Sequence, residues 1–164
     1  MTFDGDRRYP AEPAAVFDLF CQPDVITARY ASQGDRDIEI LSCGPDGDDF
    51  VIETRRTVEI NLPGFAKKVL APTNTMLQTD RWGPAERDGS RAGTFAVEVR
   101  GAPVSTSGSM SIAPDGDGTR HQVSGTIEVK VALVGGRIAK WSEGTARDTL
   151  AAEFDFHQAR LAAE

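Results

Sequence analysis

The stretch Thr126-Ile127-Glu128-Val129-Lys130-Val131, followed by a helical pattern from Leu133 to Ala163, decides the fold of this chain. Polar and apolar residues alternate over the first six positions, which is the period of a half-buried strand. Apolar residues then recur every three or four positions, which is typical of an amphipathic helix. At about 1.5 Å per residue this helix would be about 40 Å long, enough to cross a whole sheet.

The predicted helix has two apolar sides. We expect one stripe to face the sheet, and a second set, nearly opposite and late in the helix, to be covered by the N-terminal helices. The stripe comprises Val134, Ile138, Trp141, Thr145, Thr149, Ala152 and Phe156, and the second set comprises Leu150, Phe154 and Leu161.

The residues before this helix predict an antiparallel sheet. Gly, Pro and Asp clusters separate six strand-like runs, and Gly108 and Gly125 within them are interpreted as bulges or bends. An opening strand, Thr2–Tyr9, and two short helices come first. The predicted helices span Ala14–Cys21 and Asp24–Ala31, and the strands span Asp37–Cys43, Phe50–Ile60, Asn74–Trp82, Thr94–Arg100, Val104–Ile112 and Thr119–Val131. The pattern indicates an α+β fold.

The inner face of the predicted sheet is mainly apolar, but Arg56 and Asp80 share its parity. A buried charge must be paired or hydrogen-bonded, so the two residues are interpreted as a structural ion pair, unless a twist exposes one of them. Alternatively, Arg56 binds a ligand carboxylate or phosphate, with Asn74 and Gln78 adding hydrogen bonds. A catalytic acid–base role for Asp80 is the remaining alternative.

The composition predicts a single globular domain over residues 1–164. The formal net charge of −7 argues against a nucleic-acid partner. Cys21 and Cys43 are expected to be reduced thiols. The polar N-terminus does not resemble a signal peptide, and no apolar run reaches the ~20 residues of a membrane span, so we expect a soluble, cytoplasmic protein.

The two histidines are not spaced as metal ligands. His157 is expected on the surface of the last helix, and His121 at the rim of the sheet. The sequence therefore predicts no metal site and no cofactor, and it leaves the oligomeric state open.

The connection between Ile60 and Asn74 carries apolar residues spaced as one face of a helix. This segment has two interpretations. Either it forms a short helix that plugs the end of the sheet, or it has a functional role, as a mobile gate or as a patch that touches a membrane during lipid pickup. Lys67 and Lys68 are too few for firm docking, so at most transient membrane contact is expected. The gate residues would be Leu62, Phe65, Val69 and Leu70.

Three local patterns, together with the order of elements, resemble the START-like (SRPBCC) superfamily, which includes the birch pollen allergen. The patterns are Pro13-Ala14-Ala15-Val16-Phe17, Thr79-Asp80-Arg81-Trp82-Gly83-Pro84 and Val129-Lys130-Val131-Ala132-Leu133-Val134-Gly135-Gly136-Arg137-Ile138. The last is similar to a group of uncharacterised actinobacterial proteins. The resemblance implies a seven-stranded antiparallel sheet that grips the last helix (a helix-grip fold), with a hydrophobic cavity between them. Members bind lipids, sterols or polyketides, and a minority are cyclases, aromatases or hydroxylase subunits.

The function predicted from these observations is binding of a small hydrophobic or amphipathic, lipid-like ligand in the cavity. One alternative is an enzyme of the polyketide cyclase or aromatase type that uses the same cavity, although the sequence identifies no catalytic residue. The other is an interaction module whose interior is filled by side chains, since inward aromatic and Met residues fill a core as readily as they line a cavity. The predicted ligand-binding residues are Arg56, Met76, Gln78, Asp80, Trp82, Phe95, Val97, Met110, Ile138, Trp141 and Thr145.

Overall fold

The computed structural model, which describes residues 1–163, confirms the predicted order of elements. Seven antiparallel strands form one curved sheet, two short helices follow the first strand, and a long helix ends the chain. In chain order the elements are β1 Thr2–Tyr9, α1 Pro13–Phe20, α2 Pro23–Ser32, β2 Arg36–Asp46, β3 Asp49–Glu59, a 3-10 helix Gly64–Ala66, β4 Thr73–Trp82, β5 Arg91–Val99, β6 Val104–Asp115, β7 Gly118–Val129 and α3 Gly135–Ala162.

The strand order in the sheet is β1-β7-β6-β5-β4-β3-β2. Successive strands are neighbours from β2 to β7, and β1 pairs with β7 from Thr2↔Thr126 to Tyr9↔Thr119. The connections β3–β4, β5–β6 and β7–α3 therefore emerge at one end of the sheet. The connections β2–β3, β4–β5 and β6–β7 emerge at the other.

Two glycines in the middle of the sheet stand where a side chain would collide with a neighbour: Gly125 with aromatic rings, and Gly108 with the backbone of Ser124. Gly108 and Gly125 face each other in an unbroken β6–β7 register, so their interpretation as bulges is wrong. A Cβ atom built on Gly125 would lie 2.5 Å from Phe3 Cζ and 3.0 Å from Phe95 Cζ. Glycine is used here because any side chain would collide with these rings.

The short helices pack against the sheet, α1 against β6 and β7 and α2 against β2. Pro13 and Pro23 occupy the first turn of α1 and α2, where the missing N–H has no intrahelical partner to lose. Phe17 and Phe20 of α1 and Ile26 of α2 are buried and pack against sheet residues.

The inward face of α3 differs from the prediction in its second half. Ala152 is exposed and Phe156 is half-buried, whereas Leu150, Phe154 and Leu161 are buried in the main core cluster. A Cβ atom on Gly5 of β1 would lie 2.9 Å from Leu150 Cδ2, so this glycine lets α3 approach the strand closely. The same cluster holds Phe17, Phe20 and Val25 of the short helices, so the expected helical cover is present, and β1 packs against Leu150 and Phe154 as well.

The connection between β3 and β4 closes one end of the sheet. Ala66 and Leu70 are buried there against Ile138 of α3, and Leu62, Phe65 and Val69 are half-buried around them. In residues 1–163, no helix is both long and apolar enough to cross a membrane.

Candidate ligand-binding cavity

A cavity of about 250 Å³ lies between the inner face of the sheet and α3. An apolar cavity of ~150 Å³ in another protein is large enough for benzene, and pockets for drug-sized ligands begin near ~300 Å³. The space therefore suits a molecule somewhat larger than a single aromatic ring.

Ten of the eleven residues predicted to bind ligand line this cavity. Ile138 does not; it is fully buried in the neighbouring cluster beneath the 3-10 helix. Of the predicted gate residues, only Leu70 reaches the cavity, because Leu62, Phe65 and Val69 pack in that same cluster. The ten are Arg56, Met76, Gln78, Asp80, Trp82, Phe95, Val97, Met110, Trp141 and Thr145.

The cavity reaches the surface beside the middle of α3. Thr145 and Thr149 line it and are nevertheless exposed. Gly144 is exposed beside them, and a Cβ atom there would meet no heavy atom within 4 Å. The open rim thus runs along α3, whereas the 3-10 helix closes the end of the sheet as a plug.

Arg56 is held by a partner that the sequence did not suggest. Its Nε donates to Asp35 Oδ2 at 3.0 Å, and both side chains are largely buried, at 9% and 8% exposure. The guanidinium carbon lies 4.0 Å from the centroid of the Tyr30 ring, a cation–π arrangement. The predicted pairing of Arg56 with Asp80 is therefore wrong, and Arg56 lines the cavity while one of its nitrogens, Nη1, is buried without a hydrogen-bond acceptor in residues 1–163.

Asp80 instead accepts a hydrogen bond from Gln78 Nε2 at 2.9 Å. Burial raises the pKa of its carboxyl group, more than the Gln78 hydrogen bond and the charge of Arg29 lower it. Asp80 is only half-buried by area because its accessible surface faces the cavity rather than bulk water. The carboxyl group is therefore closer to its protonated form than an aspartate in solution.

A second arginine enters the cavity from α2. Arg29 Nε lies 4.0 Å from Glu153 Oε1 of α3, beyond hydrogen-bonding distance, and this Nε is buried without an acceptor among the described residues. Burial works to lower the pKa of Arg29, but neighbouring Tyr30, Glu153 and Asp80 raise it overall, so the guanidinium stays charged. Arg29, Arg56, Asp80, Gln78 and Glu153 together form a polar wall, the name used below for these five residues.

Both histidines are buried, so the predicted rim and surface positions are wrong. His121 and His157 are 7% and 3% exposed, and each packs against the Phe20 ring. The Tyr9 hydroxyl lies 3.0 Å from His121 Nδ1. Burial lowers the pKa of His121 to about 3, with a further lowering from Arg29, so its imidazole is neutral at pH 7. Burial likewise lowers the pKa of His157 well below its usual value.

Three residues that line the cavity were not among the predicted ligand-binding residues, although their spacing in the sequence indicated an inward position. Arg29 lies four positions after the buried Val25, so the helical period already places it on the inward face of α2. Glu153 and His157 also lie four positions apart and continue the inward face of α3, but their polarity argued for the opposite side.

The chemistry of the cavity follows from the polar wall and the apolar walls around it. The two arginines offer N–H donors, whereas Asp80 and Glu153 offer acceptors, and the rest of the lining is mostly aliphatic and aromatic. In residues 1–163, no group of three or more His, Cys, Asp or Glu side chains is arranged to hold a metal ion.

The chain belongs to the family described as "protein of unknown function (DUF2505)", whose profile matches residues 4–161. An uncharacterised protein of Mycobacterium tuberculosis is 28% identical over 148 residues, which cover 85% of this chain and 84% of that protein. The crystal structure of TTHA0849 from Thermus thermophilus is similar, with a TM-score of 0.70 and 15% identity over 99% of this chain and 98% of that one.

A STAR-related lipid transfer protein from Xanthomonas axonopodis also has a similar structure. Its TM-score is 0.60 at 12% identity, over 98% of this chain and 85% of that one. Together these likenesses confirm the START-like fold that the sequence patterns resemble.

Proposed function

We propose that this protein binds a small amphipathic molecule in the cavity, with the apolar body of the ligand against the sheet and its polar group on the polar wall. The observation that carries the proposal is a mostly apolar cavity into which two arginines project. Each of them has a buried nitrogen, Arg29 Nε and Arg56 Nη1, without a hydrogen-bond acceptor in residues 1–163. A few polar groups in an apolar pocket are the usual composition of a small-molecule site.

The size of the cavity limits the ligand and its affinity. A ligand of about 12 heavy atoms, such as a two-ring aromatic compound, is in proportion to a space of about 250 Å³. At roughly 0.5 kcal/mol per heavy atom, within the range seen for small ligands, its binding free energy would be about −6 kcal/mol. That value corresponds to a dissociation constant of tens of micromolar.

The charges of the polar wall favour a group that both donates and accepts hydrogen bonds. Asp35 already pairs with Arg56, and Glu153 lies near Arg29, so the positive charge is largely offset. A multiply charged anion would gain little from such a wall. A hydroxyl or a carboxylic acid group could accept from an arginine and donate to Asp80 or Glu153.

The name of one structural neighbour supports a ligand of lipid-like character. The similar Xanthomonas protein is described as STAR-related lipid transfer. For the present chain, a cavity of this size favours a compact or short-chain amphiphile over a long diacyl lipid. The predicted cytoplasmic location agrees with such a carrier and stays a prediction.

The proposal is tested by titrating the full chain with naphthalene, 2-naphthol and 2-naphthoate. Binding is measured from the NMR chemical shifts of the backbone amides. The three compounds share an apolar body and differ only in the polar group. We expect 2-naphthol to bind at least tenfold more tightly than naphthalene, because its hydroxyl satisfies the polar wall. Arg29→Met should remove most of that preference, whereas Arg87→Met, at an exposed site outside the cavity, should not.

A second variant separates loss of binding from loss of fold. Val97→Phe places a ring inside the cavity and leaves all five residues of the polar wall unchanged, although Val97 is the cross-strand neighbour of Gln78. It should abolish binding of all three compounds while the amide spectrum stays folded. Unchanged binding in this variant, or shifts confined to the protein surface, would refute the proposal.

An enzyme of the cyclase or aromatase type is the second candidate. The observation in its favour is the raised pKa of Asp80 inside the cavity, since shifted pKa values cluster at catalytic sites. Substitution Asp80→Asn would then keep ligand binding and abolish conversion of the ligand. The observation that weighs against the third alternative, an interaction module with a filled interior, is the cavity of about 250 Å³.

A further inference from the structure

We propose that the end of the molecule closed by the 3-10 helix docks onto an anionic membrane surface. Three segments form this basic end: residues 60–73, 100–103 and 130–142. They carry six of the 18 basic residues of the chain, including all four lysines, and none of its 25 acidic residues. All 25 acidic residues therefore lie outside these three segments. The six basic residues are Lys67, Lys68, Arg100, Lys130, Arg137 and Lys140.

Contacts between the segments make the basic end one surface. The guanidinium carbon of Arg137 lies 4.2 Å from the centroid of the Phe65 ring, which joins α3 to the 3-10 helix segment. The backbone N–H of Lys130 donates to the carbonyl of Pro103 at 2.9 Å, which joins the β7–α3 connection to the β5–β6 turn. All six basic side chains belong to exposed residues.

Few acidic groups neutralise this surface locally. Lys130 lies 3.9 Å from Glu128, and Glu59 at the end of β3 is paired with Arg36 at 2.7 Å. No ion pair is found for Lys67 or Lys68 in residues 1–163. At 0.15 M salt the Debye length is about 8 Å, so acidic groups at the far end of the sheet are screened from a membrane that touches the basic end.

Leu133 gives the basic end an apolar tip. It is fully exposed, at 102%, and its φ of 67° lies in the left-handed region that leucine rarely adopts. A residue just before a helix cap commonly packs back onto the first turn, but this exposure excludes such a contact. A fully exposed leucine among lysines is what an interfacial anchor requires, since membrane attachment combines apolar insertion with attraction to anionic lipid.

The inference does not depend on an occupied cavity, so it stands or falls apart from the proposed function. A lipid surface is favoured over an acidic protein or a nucleic acid, because neither would need a fully exposed leucine between Lys130 and Arg137. Docking would place the 3-10 helix plug, and the cavity behind Leu70, against the membrane.

The test is co-sedimentation of the full chain with vesicles of phosphatidylcholine, alone or with 30 mol% phosphatidylserine, at 0.05, 0.15 and 0.5 M NaCl. We expect binding only to the anionic vesicles, and weaker binding as salt rises. Each basic residue near an anionic surface contributes about fivefold, so Lys67→Glu with Lys68→Glu should weaken binding by at least about 25-fold. Leu133→Asn should weaken it severalfold, because asparagine keeps the left-handed backbone but removes the apolar side chain.

Matched controls use the same changes elsewhere. Arg87→Glu reverses an exposed charge in the β4–β5 connection at the opposite end of the sheet, and Leu41→Asn removes another exposed leucine. Both should bind vesicles as the unmodified protein does. The proposal is overturned by equal binding to neutral and anionic vesicles, by no binding at 0.05 M NaCl, or by lysine reversals that change nothing. Tighter binding to single-stranded RNA that is unaffected by Leu133→Asn would also overturn it.

Discussion

Acidification should destabilise this protein through His121, which the fold keeps neutral. Burial lowers the pKa of His121 from its usual 6.5 to about 3. Between these two values the unfolded chain binds a proton that the folded protein does not, so stability falls as the pH falls. From pH 7 to pH 5, the free energy of unfolding should decrease by about 2 kcal/mol because of this residue alone.

The comparison with His121→Asn isolates this effect. The asparagine oxygen can accept the hydrogen bond from the Tyr9 hydroxyl, and the amide does not titrate. The buried carboxyl groups with raised pKa values, Asp35 and Asp80, act in the opposite direction, because protonation relieves their burial. Their contribution is common to both proteins and cancels in the difference.

The assay is urea unfolding of both proteins at pH 7, 6 and 5, read as free energies of unfolding. The unmodified protein should lose about 2 kcal/mol more than the variant, equivalent to about 4 to 8 °C in melting temperature for a chain of this size. A difference below ~0.5 kcal/mol would show that the histidine protonates in the folded state, which would refute the reasoning from burial.

Three further predictions concern other parts of the molecule. Asp35→Ala should destabilise the protein by about 3 to 5 kcal/mol in urea unfolding, because it leaves the buried Arg56 charge uncompensated; a loss under ~1 kcal/mol would mean that water or Tyr30 replaces the pair. Gly144→Ala should stabilise the fold by about 0.5 to 1 kcal/mol, since nothing lies within 4 Å of its Cβ, and destabilisation would contradict the exposed, regular helix. Burial raises the pKa of Cys21 to about 12, so its thiol should react with a disulfide reagent at pH 8 at least about 100-fold more slowly in the folded protein than in urea, and equal rates would show an accessible thiol.

The architecture was largely predictable because its signals are periodic. Thr2–Tyr9 agrees with the observed strand at both ends, and the other elements differ from the predictions by a few residues. The second half of α3 was misread because apolar residues occur on two sides of it, and spacing alone does not tell which side the sheet covers. The packing of Leu150 against Gly5 of β1 shows which side of the helix faces the sheet. This contact is visible only in the folded structure.

The apolar lining of the cavity was also predictable, because alternation along the strands places Phe95, Val97 and Met110 on the inner face of the sheet. The polar wall was not, because a buried charge breaks the pattern from which burial is inferred. Arg56 was identified as an exception, but its partner Asp35 lies in the connection after α2, 21 residues earlier in the chain. Such a contact depends on the curl of the sheet and the placement of α2, which no local pattern specifies.

A crystal structure of the protein with 2-naphthol bound tests the central claim most directly. The account predicts electron density for the two rings beside Phe95, Met110 and Trp141, with the hydroxyl oxygen within about 3.2 Å of a nitrogen of Arg29 or Arg56. A cavity filled by rotated side chains of the protein, with the compound absent or bound outside the sheet, would contradict it.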